Sequence, residues 1–343
     1  MAEASGSDED ELVRGLDELW QRRIVRVQDV NTYDFSHDRI RDIAYAEISP
    51  VRRRLLHHRV AQALEKIYGD QLDGVCGQLA LHFEQAGLTQ KAITYYRRAA
   101  TAAHHLLAYA EMETHLNKSL ALLDSLAATP EHLAQKLDIL ALMGGIFLIS
   151  KGFTAPEVED VLTQARELCY SVGDSETRFE VLCGLRVYWI KRCRWDIVAE
   201  LNEEILQLAQ VTQSSIHRQA ALRFAGSEAF HQGKLRDAYT YFEQAIALHE
   251  ANQRLSNTHD HERDQGISNL RYSLGPLWLL GYPDQAQSRM HEMLERTRKL
   301  ARPFDLLISV DFALDLEHRL RRPQAARALA AEYSALTANY PYP

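Results

Sequence analysis

Residues 79–100 read LALHFEQAGLTQKAITYYRRAA, and the spacing of this stretch decides the fold. Small and large apolar residues recur at fixed distances on both sides of a central glycine, Gly87. They are Ala80 and Phe83 before the glycine, and Ala92, Tyr96 and Ala99 after it. Glycine tolerates the positive φ angle that a tight turn between two helices requires. The stretch therefore predicts two antiparallel helices joined at Gly87.

The same spacing occurs twice more, around Gly233 and around Gly281. The first glycine is flanked by Gly226, Ala229, Ala238, Phe242 and Ala245, and the second by Leu274, Leu277, Ala286, Met290 and Met293. Small residues let the two helix backbones approach, and a large residue four positions later fills the space beside them. This pattern resembles the tetratricopeptide repeat (TPR), which implies stacked helix hairpins.

Weaker copies of the pattern occupy the rest of residues 74–343. Gly145 and Gly152 keep the seven-residue spacing, a frame around Trp195 lacks the glycine, and Pro323 is placed to open the second helix of a last pair. The sequence therefore predicts an all-α fold. Its main part, residues 74–343, is expected to be a TPR-like superhelical solenoid of about seven helix pairs.

A different pattern precedes the repeats, in residues 11–73. Helical spacing over Leu12–Trp20 is followed by β-branched and aromatic residues from Ile24 to Phe35, with a polar turn at 29–32, which predicts a short β-hairpin. Two helices are expected next, and Pro50 is placed to open the second. This order is the outline of a small winged-helix-like domain. Residues 1–10, which are polar and acidic, are expected to be a disordered lead.

Composition limits the classes of function. The chain has 343 residues and a net charge of −8, so no strong overall field attracts nucleic acid or an anionic membrane. Its four cysteines form no C-x-x-C pair, which argues against a zinc ribbon or a redox motif. No signal peptide is recognised, and no apolar run approaches the roughly 20 residues that a spanning helix needs. A cytoplasmic protein without membrane contact is expected.

Residues 33–65, YDFSHDRIRDIAYAEISPVRRRLLHHRVAQALE, and 264–286, DQGISNLRYSLGPLWLLGYPDQA, carry a further resemblance. With residues 79–100 they resemble the junction and repeat sensor of STAND-type signal-transduction ATPases. These include large bacterial transcriptional regulators and class III adenylate cyclases with repeat arrays. The resemblance covers most of residues 11–330. It implies that His37 and Asp38 lie where the family has its nucleotide-sensing Met-His-Asp motif, with Ser36 replacing the methionine.

The ATPase core of that family has no counterpart in the sequence. Neither a G-x-x-x-x-G-K-[ST] phosphate loop nor a G-x-G-x-x-G motif is present, so ATP binding has no visible platform and no cofactor is expected. His37 and Asp38 would read a nucleotide only if an ATPase domain were supplied. The resemblance therefore implies the regulatory region of a longer signalling protein.

The first helix of each hairpin is the predicted binding surface, because these helices line the groove of a TPR superhelix. Arginines and aromatic residues there suit a protein, a peptide or a small signalling ligand. The candidates are Tyr188, Lys191, Arg223, Ser227, Phe230, His231, Arg271, Tyr272 and Trp278. The competing interpretation is that half of these side chains belong to the core between repeats.

Other candidate chemistry is weak. His259 and His261, two residues apart beside carboxylates, could hold a divalent metal, although an exposed polar loop explains them equally simply. No nucleophile elbow and no H-E-x-x-H helix occurs, so no catalytic residue is assigned and an enzyme is not expected. Arg52 to Arg54 could contact DNA phosphates, but a solvated or interdomain face is the simpler reading.

Three hypotheses of function result. The favoured one is a non-catalytic regulatory or sensor region of a signalling or transcription-regulating ATPase, which binds a partner or ligand in its groove. The second is a freestanding TPR adaptor. The third is a DNA-binding regulator that uses the winged-helix-like segment, although nucleic acid is an improbable partner for an acidic chain without an identified recognition helix.

Overall fold

The computed structural model describes residues 2–6, 8–29, 32–69, 71–255, 265–300 and 302–339. Helices make up nearly all of this chain. In chain order the elements are α1 Ala2–Ser5, α2 Glu9–Gln21, β1 Val25–Asp29, β2 Thr32–Phe35, α3 Asp38–Glu47, α4 Pro50–Tyr68, a 3-10 turn Asp73–Val75, α5 Cys76–Gln85, α6 Thr89–His105, α7 Tyr109–Asp124, α8 Pro130–Ser150, α9 Pro156–Cys169, α10 Ser175–Lys191, α11 Trp195–Thr212, α12 Ser215–His231, α13 Leu235–Leu255, α14 Gln265–Leu279, α15 Pro283–Leu300, α16 Pro303–Arg319 and α17 Pro323–Asn339. The predicted all-α, TPR-like class is confirmed.

The predicted hairpin is present near the N-terminus. Strand β1 pairs antiparallel with β2, with Val25 opposite Phe35. The two helices after it also begin where expected. Ser49 caps α4 by accepting a hydrogen bond from the Arg52 amide, and Pro50 occupies the first helical turn, where its missing N–H costs nothing. The name winged helix for this segment stays a prediction.

The expected disordered lead is wrong for part of residues 1–10, because α1 and the start of α2 fall within them. The acidic residues explain this difference. The Asp8 side chain accepts a hydrogen bond from the Glu9 amide, and Glu9, Asp10 and Glu11 occupy the first turn of α2. Carboxylates at a helix N-terminus stabilise the positive end of the helix dipole. The acidic run therefore starts a helix.

The turns between paired helices carry a residue in the left-handed region. The three predicted glycines have φ angles of 78° at Gly87, 76° at Gly233 and 86° at Gly281. Cys193, with a φ of 57°, and Arg321, with a φ of 55°, hold the same place in the turns after α10 and α16, and Leu107, with a φ of 56°, holds it in the turn after α6. At each of these turns two backbone N–H groups bond back into the preceding helix, as in a Schellman motif.

The chain divides into two compact units, residues 1–139 and 140–343, and this division differs from the boundary predicted after residue 73. In the first unit Ala61 of α4 shares one buried cluster with Leu79, Phe83 and Tyr96 of the first repeat. The front segment therefore packs on α5 and continues the core of the repeats. In the second unit one buried cluster joins α14, α15, α16 and α17, and includes Leu274, Met290 and Val310.

Helix α8 corrects one expectation about apolar runs. It has 21 residues and a mean hydropathy of 1.6 over its most apolar window, so by length and composition it could cross a membrane. No apolar run of that length is expected from the sequence. A buried core helix passes the same test, and Leu137, Leu140 and Phe147 of α8 are buried. The helix is therefore weak evidence for membrane contact.

Candidate functional site

A cavity of about 860 Å³ lies within the second unit, and the first helices of successive hairpins form most of its wall. Helices α10, α12, α14 and α16 each contribute polar and aromatic side chains. Its volume lies in the range of about 300–1,000 Å³ that is typical of ligand sites. The repeat geometry explains the location, because each hairpin places its first helix in the same relation to the next one.

The turn residues give a common register for this wall. Arg223 and Arg271 each lie ten residues before the left-handed glycine of their hairpin, and Asp311 lies ten residues before Arg321. All three line the cavity. The next position is aromatic in the same three helices, namely Phe224, Tyr272 and Phe312. Successive repeats thus place a charge and an aromatic ring side by side.

Three buried arginines face this cavity: Arg186 of α10, Arg223 of α12 and Arg271 of α14, with exposed fractions of 3%, 8% and 6%. Stacking on aromatic rings supports them. The guanidinium groups of Arg186 and Arg223 lie 4.2 Å and 4.9 Å, respectively, from the centre of the Phe224 ring. The guanidinium group of Arg271 lies 5.9 Å from the centre of the Phe312 ring.

The hydrogen bonds of these arginines go to neutral groups. Arg186 donates through Nε to Asn202 Oδ1 at 2.6 Å, Arg223 donates to Gln265 Oε1, and Arg271 donates through Nη2 to Ser309 Oγ at 3.0 Å. Within the described ranges none of the three forms an ion pair with a carboxylate, and Arg271 Nε has no hydrogen-bond partner. The three guanidinium groups therefore lack a directly bonded carboxylate in the described chain, although Glu228 attracts Arg186 and Asp305 attracts Arg271.

The surroundings make these charges costly. Burial lowers the pKa of Arg186 to about 10, and repulsion from Arg223 acts in the same direction. Burial also lowers the pKa values of Arg223 and Arg271, and the Arg271 charge further lowers that of Arg223. His231 at the cavity has a lowered pKa for the same reasons, first burial and then the nearby Arg186 and Lys191 charges. An anion would relieve this repulsion.

Seven of the nine predicted groove residues line the cavity together: Lys191, Arg223, Ser227, Phe230, His231, Arg271 and Tyr272. The other two do not. Tyr188 is 0% exposed and donates a hydrogen bond to Glu159 Oε2 at 2.7 Å. Burial, together with this hydrogen bond, raises the pKa of Tyr188 to about 12. Trp278 packs against the core of α14–α17 beneath the Arg319 guanidinium. These two are core residues, as the competing interpretation held for part of the set.

The remaining sequence candidates lie elsewhere. His37 is the N-cap residue of α3 but makes no side-chain capping bond, and Asp38 forms an ion pair with Arg41 at 3.0 Å. His259 and His261 lie outside the described residues. In the part of the chain that the structure describes, no group of three or more His, Cys, Asp or Glu side chains is arranged to hold a metal ion.

Sequence reasoning missed Arg186. This residue lies seven positions before Cys193, where the equivalent hairpin has Gly226 before Gly233. A charged residue at a position that holds Ala80, Gly226 and Leu274 in the three regular hairpins was the available signal. It was not recognised because that hairpin lacks the glycine that fixes the register.

A second cavity, of about 470 Å³, lies within the first unit and provides a contrast. Arg97 and Arg98 line it, but Arg98 pairs with Asp73 at 2.8 Å and Arg97 pairs with Asp138 at 3.2 Å. Its arginines are compensated by the fold itself. The unpaired buried arginines therefore single out the cavity of the second unit.

The fold and cavity together define a TPR-like helical repeat protein with an arginine-lined site. No protein-family model matches the chain. It is 22% identical over 291 residues to the uncharacterized protein R02095 of Rhizobium meliloti (strain 1021), an alignment that covers 84% of this chain and 28% of that protein. The chain thus spans little more than a quarter of the length of this curated relative.

Solved structures show the same architecture. Aspartyl phosphate phosphatase F of Bacillus subtilis superposes with a TM-score of 0.56 at 10% identity, covering 95% of this chain and 80% of that one. NprR in complex with its cognate peptide NprX superposes with a TM-score of 0.50 at 11% identity, covering 95% of this chain and 88% of that one. At such identities the likeness establishes the fold alone.

A STAND protein with a tetratricopeptide repeat sensor from Pyrococcus horikoshii is also similar. Its TM-score is 0.45 at 11% identity, over 100% of this chain and 54% of that one. The TPR-like part of the resemblance drawn from the sequence is confirmed by the fold shared with the two structures described above. Its ATPase and winged-helix parts stay predictions, since a likeness this distant carries no argument about them.

Proposed function

We propose that this chain is a non-catalytic regulatory region that binds a peptide, or a peptide segment of a partner protein, in the cavity of the second unit. The observation that carries the proposal is the register of Arg223–Phe224 and Arg271–Tyr272, which places an arginine and an aromatic ring together on two successive helices of one cavity wall. Arginine and aromatic residues supply most of the binding energy in protein interfaces.

The cavity suits a short segment better than a large folded surface. A volume of about 860 Å³ holds a few residues of a chain. A peptide also offers backbone amides to the polar groups of the wall, such as Ser227 and Gln265. NprR, which shares this fold, binds a cognate peptide, and this precedent supports the same class of ligand here.

The wider setting is proposed from the sequence. Residues 33–65 resemble the junction between an ATPase and its repeat sensor, so we infer that the chain acts as the sensor region of a longer cytoplasmic STAND-type regulator. Peptide binding would then bias the ATPase between two states, and the ATPase would act on an output domain. A freestanding adaptor would bind the peptide equally well but would have no nucleotide-dependent readout.

The test is selection of peptides from a randomised octapeptide phage library on the full chain, followed by fluorescence anisotropy with the selected sequences. Tyr272→Ala should weaken binding about tenfold or more, since aromatic anchors contribute over about 1 kcal/mol. Tyr241→Ala is the matched control, because Tyr241 lies on α13 outside the cavity lining and is 37% exposed against 39% for Tyr272. Equal binding by both variants, or failure to select any peptide, would refute the proposal.

A further inference from the structure

The charges of the cavity are sorted by helix. Helices α12 and α14 contribute Arg223 and Arg271 and no lining carboxylate, whereas α16 contributes Asp311 and Asp315. Asp315 pairs with Arg319 at 2.7 Å, so Asp311 is the acidic residue that occupies the register position of the two arginines. Helix α10 contributes charges of both signs, Glu180 among them. Lys191 of α10 also acts on Asp311: burial raises the pKa of this carboxyl group, and the Lys191 charge opposes the rise. The shared register position thus changes from cationic on α14 to acidic on α16.

Buried cations are normally paired, because an uncompensated charge in a poorly solvated site is expensive. Arg271 is 6% exposed, and its Nε has no hydrogen-bond partner in the described chain. Its Nη2 donates only to the Ser309 hydroxyl. The planar guanidinium presents parallel N–H donors in the geometry that a carboxylate accepts. Asp305 attracts the Arg271 charge without forming an ion pair with it, so the free Nε–H of Arg271 remains available to an anionic group of a ligand.

We infer that the bound peptide carries a carboxylate that Arg223 and Arg271 receive, and a cationic group that faces Asp311. This inference rests on the proposed function and adds the charges that the peptide carries and the orientation in which it binds. A carboxylate fits better than a phosphate, because Glu180, Asp311 and Asp315 share the cavity and would repel a dianion. Opposite charges at the two ends of the ligand match the sorted charges of the wall and fix its orientation.

The first experiment changes the peptide and leaves the fold untouched. Each acidic residue, or the free C-terminal carboxylate, of a selected peptide is replaced by its amide, and binding is measured by anisotropy. One of these changes should weaken binding at least tenfold to the unaltered chain. The same change should have under a threefold effect on Arg271→Gln, because the carboxylate's partner is then already absent. Arg97→Gln in the first unit is the control and should behave like the unaltered chain.

The second experiment tests direction. Asp311→Asn should weaken the binding of a peptide that contains a basic residue and should leave the binding of its neutral analogue unchanged. Peptides that bind but tolerate every acid-to-amide change would overturn the inference and leave the proposed function standing. No selected peptide at all would overturn both. Tighter binding of a peptide in which phosphoserine replaces the critical acidic residue would point to a phosphate ligand and would also overturn the inference of a carboxylate.

Discussion

Replacement of Arg271 by methionine should raise the stability of the ligand-free protein, although the arginine is almost fully buried. Most large-to-small or polar-to-apolar changes in a core destabilise. Here methionine keeps much of the side-chain length and removes a charge that forms no ion pair within the described chain, although the nearby Asp305 charge favours it. Buried charges replaced by apolar residues of similar volume are often neutral or stabilising.

Replacement of buried charged groups by well-packed apolar residues, where it is not neutral, stabilises by about 1–4 kcal/mol. Burial lowers the pKa of Arg271, which shows that its charged form is disfavoured in this site, and the Asp305 charge acts in the opposite direction. The change forfeits the bond to Ser309, about 1 kcal/mol. Ser309 keeps its contact with Thr297 at 3.1 Å. A net gain of about 2 kcal/mol is expected.

The assay is thermal unfolding by circular dichroism, in which about 2 kcal/mol raises the Tm by roughly 4–8 °C for a unit of this size. Arg289→Met is the control, because Arg289 of α15 is an arginine with a carboxylate partner, Glu243 at 2.5 Å. Its loss leaves a half-buried carboxylate alone and should lower the Tm. A lower Tm for Arg271→Met as well would refute the reasoning, since it would mean that the fold itself compensates Arg271.

Three further predictions concern the fold. Cys193→Gly should stabilise the protein by about 1 kcal/mol, and Gly233→Ala should destabilise it by about the same amount, because both positions have a positive φ. A Cβ at Gly233 would meet open space, so only the backbone cost remains there. Thermal melting of both variants checks this, and a Tm change of the same sign in both would contradict it. The Nδ1 atoms of His57 and His82 lie 2.8 Å apart, and burial lowers the pKa values of both rings. The contribution of this pair to stability should therefore be complete above pH 6.5 and fall as the pH drops below it, with a smaller fall in His82→Phe. A Tm that does not change with pH would contradict this. Asp8→Ala should cost about 0.5–2 kcal/mol and increase amide exchange at the start of α2, whereas unchanged exchange would show that the cap is unimportant.

The sequence predicts the fold well wherever a glycine marks the turn. Gly87, Gly233 and Gly281 fix the register of their hairpins, because no other residue adopts positive φ without strain. The last hairpin was placed by Pro323 instead, since proline is favoured in the first turn of a helix. The acidic start of the chain was misjudged because charge was taken as a sign of disorder, while Asp8 uses its charge to cap a helix.

Prediction of the site was less complete, for a physical reason. Helical spacing tells which side chains share a face, but a first helix in a solenoid has one face toward the cavity and another toward the next hairpin. Tyr188 lies three residues before Lys191 and Phe230 lies next to His231, yet of the two aromatic residues only Phe230 reaches the cavity. The pairing of Tyr188 with Glu159 depends on a contact between helices that one sequence does not specify.

One hairpin departs from the repeat pattern at three positions at once, and these departures are physically connected. Arg186 replaces a small residue, Cys193 replaces the turn glycine and Asn202 takes the place that Phe242 holds in the next repeat. Arg186 and Asn202 are hydrogen-bonded at 2.6 Å, and Asn202 donates to Glu228 Oε2 at the same distance. A polar pair has thus replaced the close packing of a small residue against a large one. Since this change sacrifices packing to hold a guanidinium at the cavity wall, the departure from the repeat pattern itself marks Arg186 as a residue of the site, beside Arg223 and Arg271 of the regular hairpins.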